Sequence, residues 1–343
     1  MNPLELLRKL SETPSPSGEE DELAKLVVEL MEEIGLEAEI LEWKGTQNIL
    51  LNCEAPFWII THLDTVEGIS KFRVEGNRAF GTGVCDAKAS IVAILLALRS
   101  IGDERNLNFG VALLSDEEEE GRGAELIARE FSSRKCLVME PTSLRICRRN
   151  FGSLTLKARF EGITAHASMP EVGENPIEEA LNFLLSLRKR LRAREIKLVP
   201  MEFSSNKENY RLPREAQIEV ELVLPPEENP KILFEEISRE FSRDRVSITE
   251  EDCTHGFKSR ESHMYLERAL ERSGLEIRYW EMPSTTDANF LWERGWDPVV
   301  WGPGFLGDCH TPRESVSIVE IDEASKVLFN LNSIVSEIRF SRE

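Results

Sequence analysis

The chain has 343 residues, 41% of them hydrophobic, which is enough for two packed domains and too many for a disordered one. Its 62 acidic against 42 basic residues give a formal charge of −20, which repels nucleic acid and anionic membranes over most of the surface. The longest apolar run, Ile91 to Leu98, is far short of the ~20 residues that span a bilayer, and Met1-Asn2-Pro3-Leu4-Glu5 opens with no basic run before an apolar stretch, so a cytoplasmic protein is expected.

The first elements are helical. An amphipathic helix is expected from Pro3 to Leu10, after which Pro14-Ser15-Pro16-Ser17-Gly18 breaks the pattern. A second helix carries the stripe Leu23, Leu26, Val27, Leu30 and Met31, with Ser17 or Gly18 as its cap. Short apolar strands follow at Phe57 to Thr61, Phe109 to Ser115 and Leu137 to Glu140, separated by helical patterns at Lys88 to Ile101 and Gly123 to Phe131. Strand and helix in alternation predict an α/β fold with a central sheet.

From Gly152 the rhythm changes. The pattern predicts a strand from Ser153 to Phe160, a helix from Pro176 to Arg194, strands near Lys197 to Phe203 and Ala216 to Leu224, a helix from Pro230 to Phe241 and a strand from Arg245 to Ile248. That β-α-β-β-α-β order is the one a ferredoxin-like α+β unit has. The earlier rhythm then returns, with a helix near Ser262 to Ser273 and strands near Ile277 to Glu281 and Pro298 to Trp301. One domain is therefore expected over 1–151 and 252–343, with a second, 152–251, inserted into it.

The six cysteines (Cys53, Cys85, Cys136, Cys147, Cys253, Cys309) contain no CxxC pair and read as reduced thiols, not as a disulfide framework or a thiolate metal site. Of the five histidines, His62, His166, His255, His263 and His310, three sit in conspicuous settings. His62 and Asp64 follow an apolar strand, where a sheet delivers side chains into the crevice at its carboxyl edge. Asp64 can fix the tautomer of His62 as a metal ligand, and the plainer reading is a hydrogen-bonded structural histidine. Gly81-Thr82-Gly83-Val84-Cys85-Asp86 is a glycine-rich turn entering an apolar helix, so Asp86 is either a helix cap or a carboxylate bridging two cations.

Asp116-Glu117-Glu118-Glu119-Glu120 would by itself be a solvated face, yet it starts directly after a strand, where α/β sheets keep their active sites. Glu140-Pro141 closes another strand at the same kind of edge, and Gly302-Pro303-Gly304 with Asp308-Cys309-His310 forms a loop that returns a second histidine. Imidazole and carboxylate together suit zinc, cobalt or manganese, and a bridging carboxylate suits two metals ~3.5–4 Å apart.

Taken in order, Thr61-His62-Leu63-Asp64-Thr65, Gly81-Thr82-Gly83 with Asp86, Asp116-Glu117-Glu118, Glu140-Pro141, Ala165-His166-Ala167-Ser168 and His310-Thr311-Pro312 resemble the co-catalytic zinc aminoacylase and carboxypeptidase family, over nearly the whole chain. That family includes acetylornithine deacetylase, succinyl-diaminopimelate desuccinylase and glutamate carboxypeptidase. The resemblance implies a central mixed sheet with flanking helices and an inserted domain that makes a homodimer. It implies two zinc ions, with cobalt as the alternative, Asp86 bridging both, His62 and Glu140 completing one site, and Glu118 and His310 the other. Glu117 is then the general base, Asp64 the orienting acid, and His166 reaches the partner's site to stabilise an oxyanion. His255 and His263 match no motif and are read as structural.

Pro14-Ser15-Pro16-Ser17-Gly18-Glu19 and Ser284-Thr285-Thr286-Asp287-Ala288 look most like the branch that releases lysine or ornithine in amino-acid biosynthesis. The implied substrate is a small N-acyl amino acid, blocked by acetyl or by a small acidic carrier protein joined through its terminal glutamate. Arg188-Lys189-Arg190-Leu191-Arg192-Ala193-Arg194 either docks such a carrier or is a solvated helix end balanced by nearby acids. Tyr210-Arg211-Leu212-Pro213 and Glu221-Leu222-Val223-Leu224-Pro225-Pro226 stand where relatives often show Asn-Val-Ile-Pro and Asp-x-Arg-Leu-Pro-Pro, which leaves Arg148, Arg149 or Arg211 as candidates for the substrate's carboxylate. A dipeptidase or carboxypeptidase of the same family would share every metal ligand. An inactive metal-binding partner protein is the alternative outside enzymology.

Overall fold

Asn2 accepts the Leu4 amide at 2.9 Å and Pro3 takes the first position of helix α1 (Pro3–Ser11), so the chain starts on a capped helix whose Leu6, Leu7 and Leu10 are buried. The next helix, α2 (Asp21–Glu32), buries Leu23, Ala24, Val27, Leu30 and Met31. Its cap differs from expectation: Glu20 holds the position without a side-chain hydrogen bond, and Ser17 donates to the Asp64 carboxylate at 2.7 Å. Gly18, at φ 84°, turns the chain between Ser17 and the helix, which takes the serine out of reach of the first helical amides.

The computed structural model describes residues 2–207 and 209–340. The chain continues through β1 (Glu39–Trp43), β2 (Thr46–Leu51), β3 (Phe57–His62), β4 (Arg73–Glu75), β5 (Arg78–Phe80), α3 (Lys88–Ile101), β6 (Gly110–Leu114), α4 (Arg122–Glu130), β7 (Lys135–Val138) and β8 (Ile146–Asn150). Then come β9 (Gly152–Glu161), α5 (Pro176–Leu191), β10 (Lys197–Ser205), β11 (Glu215–Leu224), α6 (Pro230–Phe241), β12 (Val246–Thr254) and β13 (Phe257–Lys258). The last stretch holds α7 (Ser262–Ser273), β14 (Tyr279–Met282), α8 (Asp287–Glu293), β15 (Asp297–Val300), β16 (Ser315–Ser317) and α9 (Ile318–Phe340). Two compact units result, a first of residues 2–148, 259–282 and 286–340 and a second of residues 149–258 with Pro283–Thr285.

The first unit is built on a mixed sheet in the order β1-β2-β6-β3-β7-β15-β8, with β14 beside β8. Strands β6, β3, β7 and β15 run parallel, while β1, β2 and β8 are antiparallel to their neighbours. All six residues of β3 are buried, as a central parallel strand covered on both faces requires. The chain leaves β3 through α3 to β6 on one side, then passes through α4 to β7 on the other. Strand order therefore reverses around β3, and such a reversal opens a crevice at the carboxyl ends of the strands.

The second unit is a four-stranded antiparallel sheet, β10-β11-β9-β12, with α5 and α6 packed on it. Alternation in β11 buries Ala216, Ile218, Val220, Leu222 and Leu224 against Ala180, Phe183 and Leu187 of α5 and Leu233 and Ile237 of α6. Two details differ from expectation. Strand β12 runs on to Thr254 instead of ending at Ile248, because its pairing with β9 extends from Val246↔Phe160 to Thr254↔Ser153. Helix α5 stops at Leu191, and Arg192–Arg194 tightens into a 3-10 turn before Glu195 at φ 59°.

Candidate metal centre

Every segment that ends or follows a parallel strand of the first unit brings a polar side chain to one edge. His62 closes β3, Asp116, Glu117 and Glu118 follow β6, and Glu140 lies two residues past β7. Asp86 sits at the entrance of α3, where Ala87 and not Asp86 is the cap. His310 comes from the loop after β15, in the left-handed region at φ 58°.

These side chains converge. His62 Nε2 lies 3.1 Å from Asp86 Oδ1 and 4.0 Å from Glu140 Oε2. His310 Nε2 lies 3.5 Å from Asp86 Oδ2 and 3.0 Å from Glu118 Oε2. The two oxygens of one carboxylate are thus divided between two imidazoles, and two triads result: His62, Asp86 and Glu140, and Asp86, Glu118 and His310, each with its donor atoms within 4.8 Å.

Asp64 organises the surroundings. Its backbone carbonyl lies 2.9 Å from His62 Nδ1, which leaves Nε2 facing Asp86. Its carboxylate accepts the Glu117 amide at 3.1 Å on one oxygen and the Glu118 amide at 3.0 Å on the other. One buried acid therefore ties the end of β3 to the turn after β6. That turn is further held by Asp116, at φ 70°, whose carboxylate takes two hydrogen bonds of 2.7 Å from Arg122. Behind Asp86, the buried Glu314 carboxylate accepts the Cys85 amide at 3.0 Å and the Asp86 amide at 3.3 Å.

The carboxyls of Glu117 and Glu140 are buried close together, which raises their proton affinity. Burial, and after it the charge of Glu140, pushes the Glu117 carboxyl well above the usual carboxylate range. Burial raises Glu140 in the same way, and its Oε1 is buried with no hydrogen-bond partner. Two imidazoles and three carboxylates, one of them with an unsatisfied buried oxygen, fit a pair of divalent cations of the zinc, cobalt or manganese class. Sequence reading gave no role to one member of this neighbourhood: Asp287, at the start of α8, is 1% exposed, and neither of its oxygens has a hydrogen-bond partner. Burial pushes it up to about 7, and the charges of Asp64 and Asp116 act in the same direction.

A sequence model of peptidase family M20/M25/M40 matches residues 58–332. The chain belongs to that family. As an M20 chain it is a metal-dependent hydrolase of amide bonds. Its curated relatives include a [LysW]-lysine/[LysW]-ornithine hydrolase of Saccharolobus solfataricus, 25% identical, with 92% of this chain and 91% of the relative covered. Another of that name, from Sulfurisphaera tokodaii, is 26% identical with 92% and 91% covered. Among solved structures, a tripeptidase from Staphylococcus aureus shares the fold with a TM-score of 0.83 at 20% identity, covering 98% of both chains. An M20 family metallo-carboxypeptidase from Sulfolobus solfataricus gives a TM-score of 0.76 at 17% identity, over 98% of this chain and 99% of that one.

The remaining candidates belong to neither triad. His166 belongs to the second unit, where its Nδ1 is 2.8 Å from Ser168 Oγ and its ring packs edge-on against Tyr210. His263 is buried at the start of α7, 3.4 Å from Ser259 Oγ. Arg149, a candidate for the substrate's carboxylate, is instead paired with Glu227 at 2.7 Å. Two members of the basic stretch ending α5 are balanced by acids: Arg190 pairs with Glu236 and Glu240, and Arg194 with Glu228 and Glu236, all from α6 or the turn before it.

Proposed function

We propose that this M20 chain frees lysine or ornithine from an amide-linked blocking group, either a small acyl group or an acidic carrier protein, as a step of lysine or arginine biosynthesis. In this reading His62, Asp86 and Glu140 hold one zinc ion, Asp86, Glu118 and His310 the other, and cobalt is the alternative metal. Bound divalent metal supplies Lewis acidity, polarising a carbonyl and acidifying a water. Glu117 takes the proton of the attacking water and hands it to the leaving nitrogen, a role that its raised proton affinity suits. Asp64 holds the Glu117 and Glu118 backbone and the His62 ring in register. The observation that carries the reading is the sharing of the Asp86 carboxylate between two histidines. The names of the relatives support the choice of lysine and ornithine.

The second unit is assigned to homodimer formation, with His166 offered to the partner's centre. Its edge strand β10 and helix α5 support this, since Val199, Met201 and Phe203 and Leu181 and Leu185 are exposed apolar residues. Six cysteines, none of them in a disulfide, support a reducing compartment such as the cytoplasm.

A dipeptidase is the competing reading, favoured by the fold shared with a tripeptidase. The test is release of free amine from acetyl-lysine, acetyl-ornithine, carrier-linked lysine and simple dipeptides, with zinc or cobalt added and chelated enzyme as control. Metal-dependent turnover of a lysine or ornithine derivative is the expected result, and cleavage of dipeptides alone would overturn the biosynthetic assignment.

A further inference from the structure

The sheet of the first unit carries a row of paired residues, Ile60, Val138, Val300 and Cys147, across β3, β7, β15 and β8. Because β8 is antiparallel, His62, Glu140 and Arg145 each lie two residues from this row in the same direction, toward the crevice edge. Strand spacing of ~4.8 Å puts Arg145 two strands from Glu140, roughly 10 Å along that edge.

Arg145 is prepared for a ligand. Its guanidinium stacks over the Trp280 ring at 4.4 Å, and its Nε donates to Thr142 O at 3.0 Å. Among the described residues its terminal nitrogens hold no hydrogen bond and no ion pair. Phe305, 41% exposed, lies 6.2 Å from Trp280, ring centre to ring centre. The loop of Phe305 is pinned to the segment after Glu140, through Leu306 N to Pro141 O at 2.9 Å and the bridge between Thr142 and Phe305. A planar cation held on an aromatic face with its fork open is an arrangement for binding a carboxylate. By contrast, the Arg122 fork is already closed on Asp116.

We propose that Arg145, Trp280 and Phe305 form a subsite for a carboxylate on the acyl half of the substrate, an inference that rests on the hydrolase reading. The side is set by the strand order: Glu117, which protonates the leaving nitrogen, follows β6, whereas Arg145 lies beyond β7, on the opposite side of β3. The acyl half, extending away from Glu117, meets Arg145. The carboxylate comes from a free dicarboxylic acyl group or from the acidic end of a peptide.

The test compares acetyl-lysine, succinyl-lysine and lysine joined to a glutamate-terminated peptide in wild type, Arg145→Ala and Arg145→Lys. Arg145→Ala should raise KM about tenfold or more for the two carboxylate-bearing substrates and leave acetyl-lysine unchanged, with Arg145→Lys recovering part of the loss. A rise for only one of the two identifies the source of the carboxylate. Equal KM values for all three substrates, or an equal rise for acetyl-lysine, would overturn the subsite. Glutarate binding to the metal-loaded protein, measured by calorimetry, separates the two ideas. If wild type cleaves nothing while glutarate binds and Arg145→Ala abolishes it, the hydrolase reading fails and the subsite stands. Binding unaffected by the substitution removes the subsite whatever the activity.

Discussion

At the level of single side chains, the proposed mechanism separates groups that hold charge from one that moves a proton. Glu117 belongs to neither triad, and its backbone is fixed through Asp64. Replacing it by Gln keeps the shape and the amide anchor and removes the proton acceptor. Glu117→Gln should therefore retain both metals by elemental analysis while turnover falls about 10²- to 10⁴-fold; undiminished turnover would remove Glu117 from the mechanism. Asp287 makes a different statement. Its carboxyl is pushed up to about 7 from an ordinary 3.8, so between pH 4 and 7 the folded chain holds a proton that the unfolded chain releases. Stability is thus lost as pH rises through that window. Asp287→Asn, with the metals chelated, should match wild type in urea midpoint near pH 4 and exceed it above pH 7. Both variants following the same pH curve would contradict the account. The members of the two triads stood out in the sequence because a histidine or acid at a strand end is conspicuous. Asp287 appeared there only within a motif and was given no role, because the burial of one acid is invisible in a sequence; in the fold Thr286 caps the helix while the acid turns inward.

At the level of elements, what the sequence disclosed depended on periodicity. The helix boundaries at Lys88–Ile101, Pro230–Phe241 and Ser262–Ser273 agree with the expected ones, where Gly102 and Gly274 end two of the apolar patterns and Asn229-Pro230 opens the third. The hairpin of β1 and β2, the short β4, β5 and β16, and the 23-residue α9 were passed over. Strand β1 is half exposed, and the short strands are too brief for a period of two to register. Charge interrupts the apolar stripe of α9, although Ile321, Ala324, Val327, Leu328 and Leu331 are buried. The loop carrying His310 was expected to return a second histidine, and its packing explains the glycines. Gly304 sits at φ 87°, and a Cβ there would fall 2.1 Å from Cys85 Sγ, next to Asp86, the carboxylate common to both triads. Gly295 has a similar φ of 89° but its nearest neighbour would be 3.8 Å away, so it controls for backbone strain alone. Gly304→Ala should lower the melting temperature further than Gly295→Ala and should alone weaken metal retention against a chelator. Equal effects would mean that the Cys85 contact does not position the centre.

At the level of the whole molecule, the first unit carries both triads, so metal binding in itself needs nothing from the second. What the second unit adds is an open sheet edge. Strand β10 has one paired side, and Val199, Met201 and Phe203 in it are 42%, 63% and 42% exposed; on α5, Leu181 and Leu185, one turn apart, are 47% and 63% exposed. An unprotected edge with apolar side chains is a liability in a monomer and an interface in a symmetric pair, where the same patch meets itself. The expected behaviour is a dimer in sedimentation, with Leu185→Glu combined with Met201→Glu shifting it to a monomer of unchanged circular dichroism, since both positions face away from the buried core of the unit. The monomer should keep its metals, because the triads are intact, and should lose turnover if His166 acts on the partner's centre. Full activity in the monomer would leave the interface standing and remove His166 from catalysis, whereas a wild-type monomer would remove both and return the exposed strand to the search for another partner.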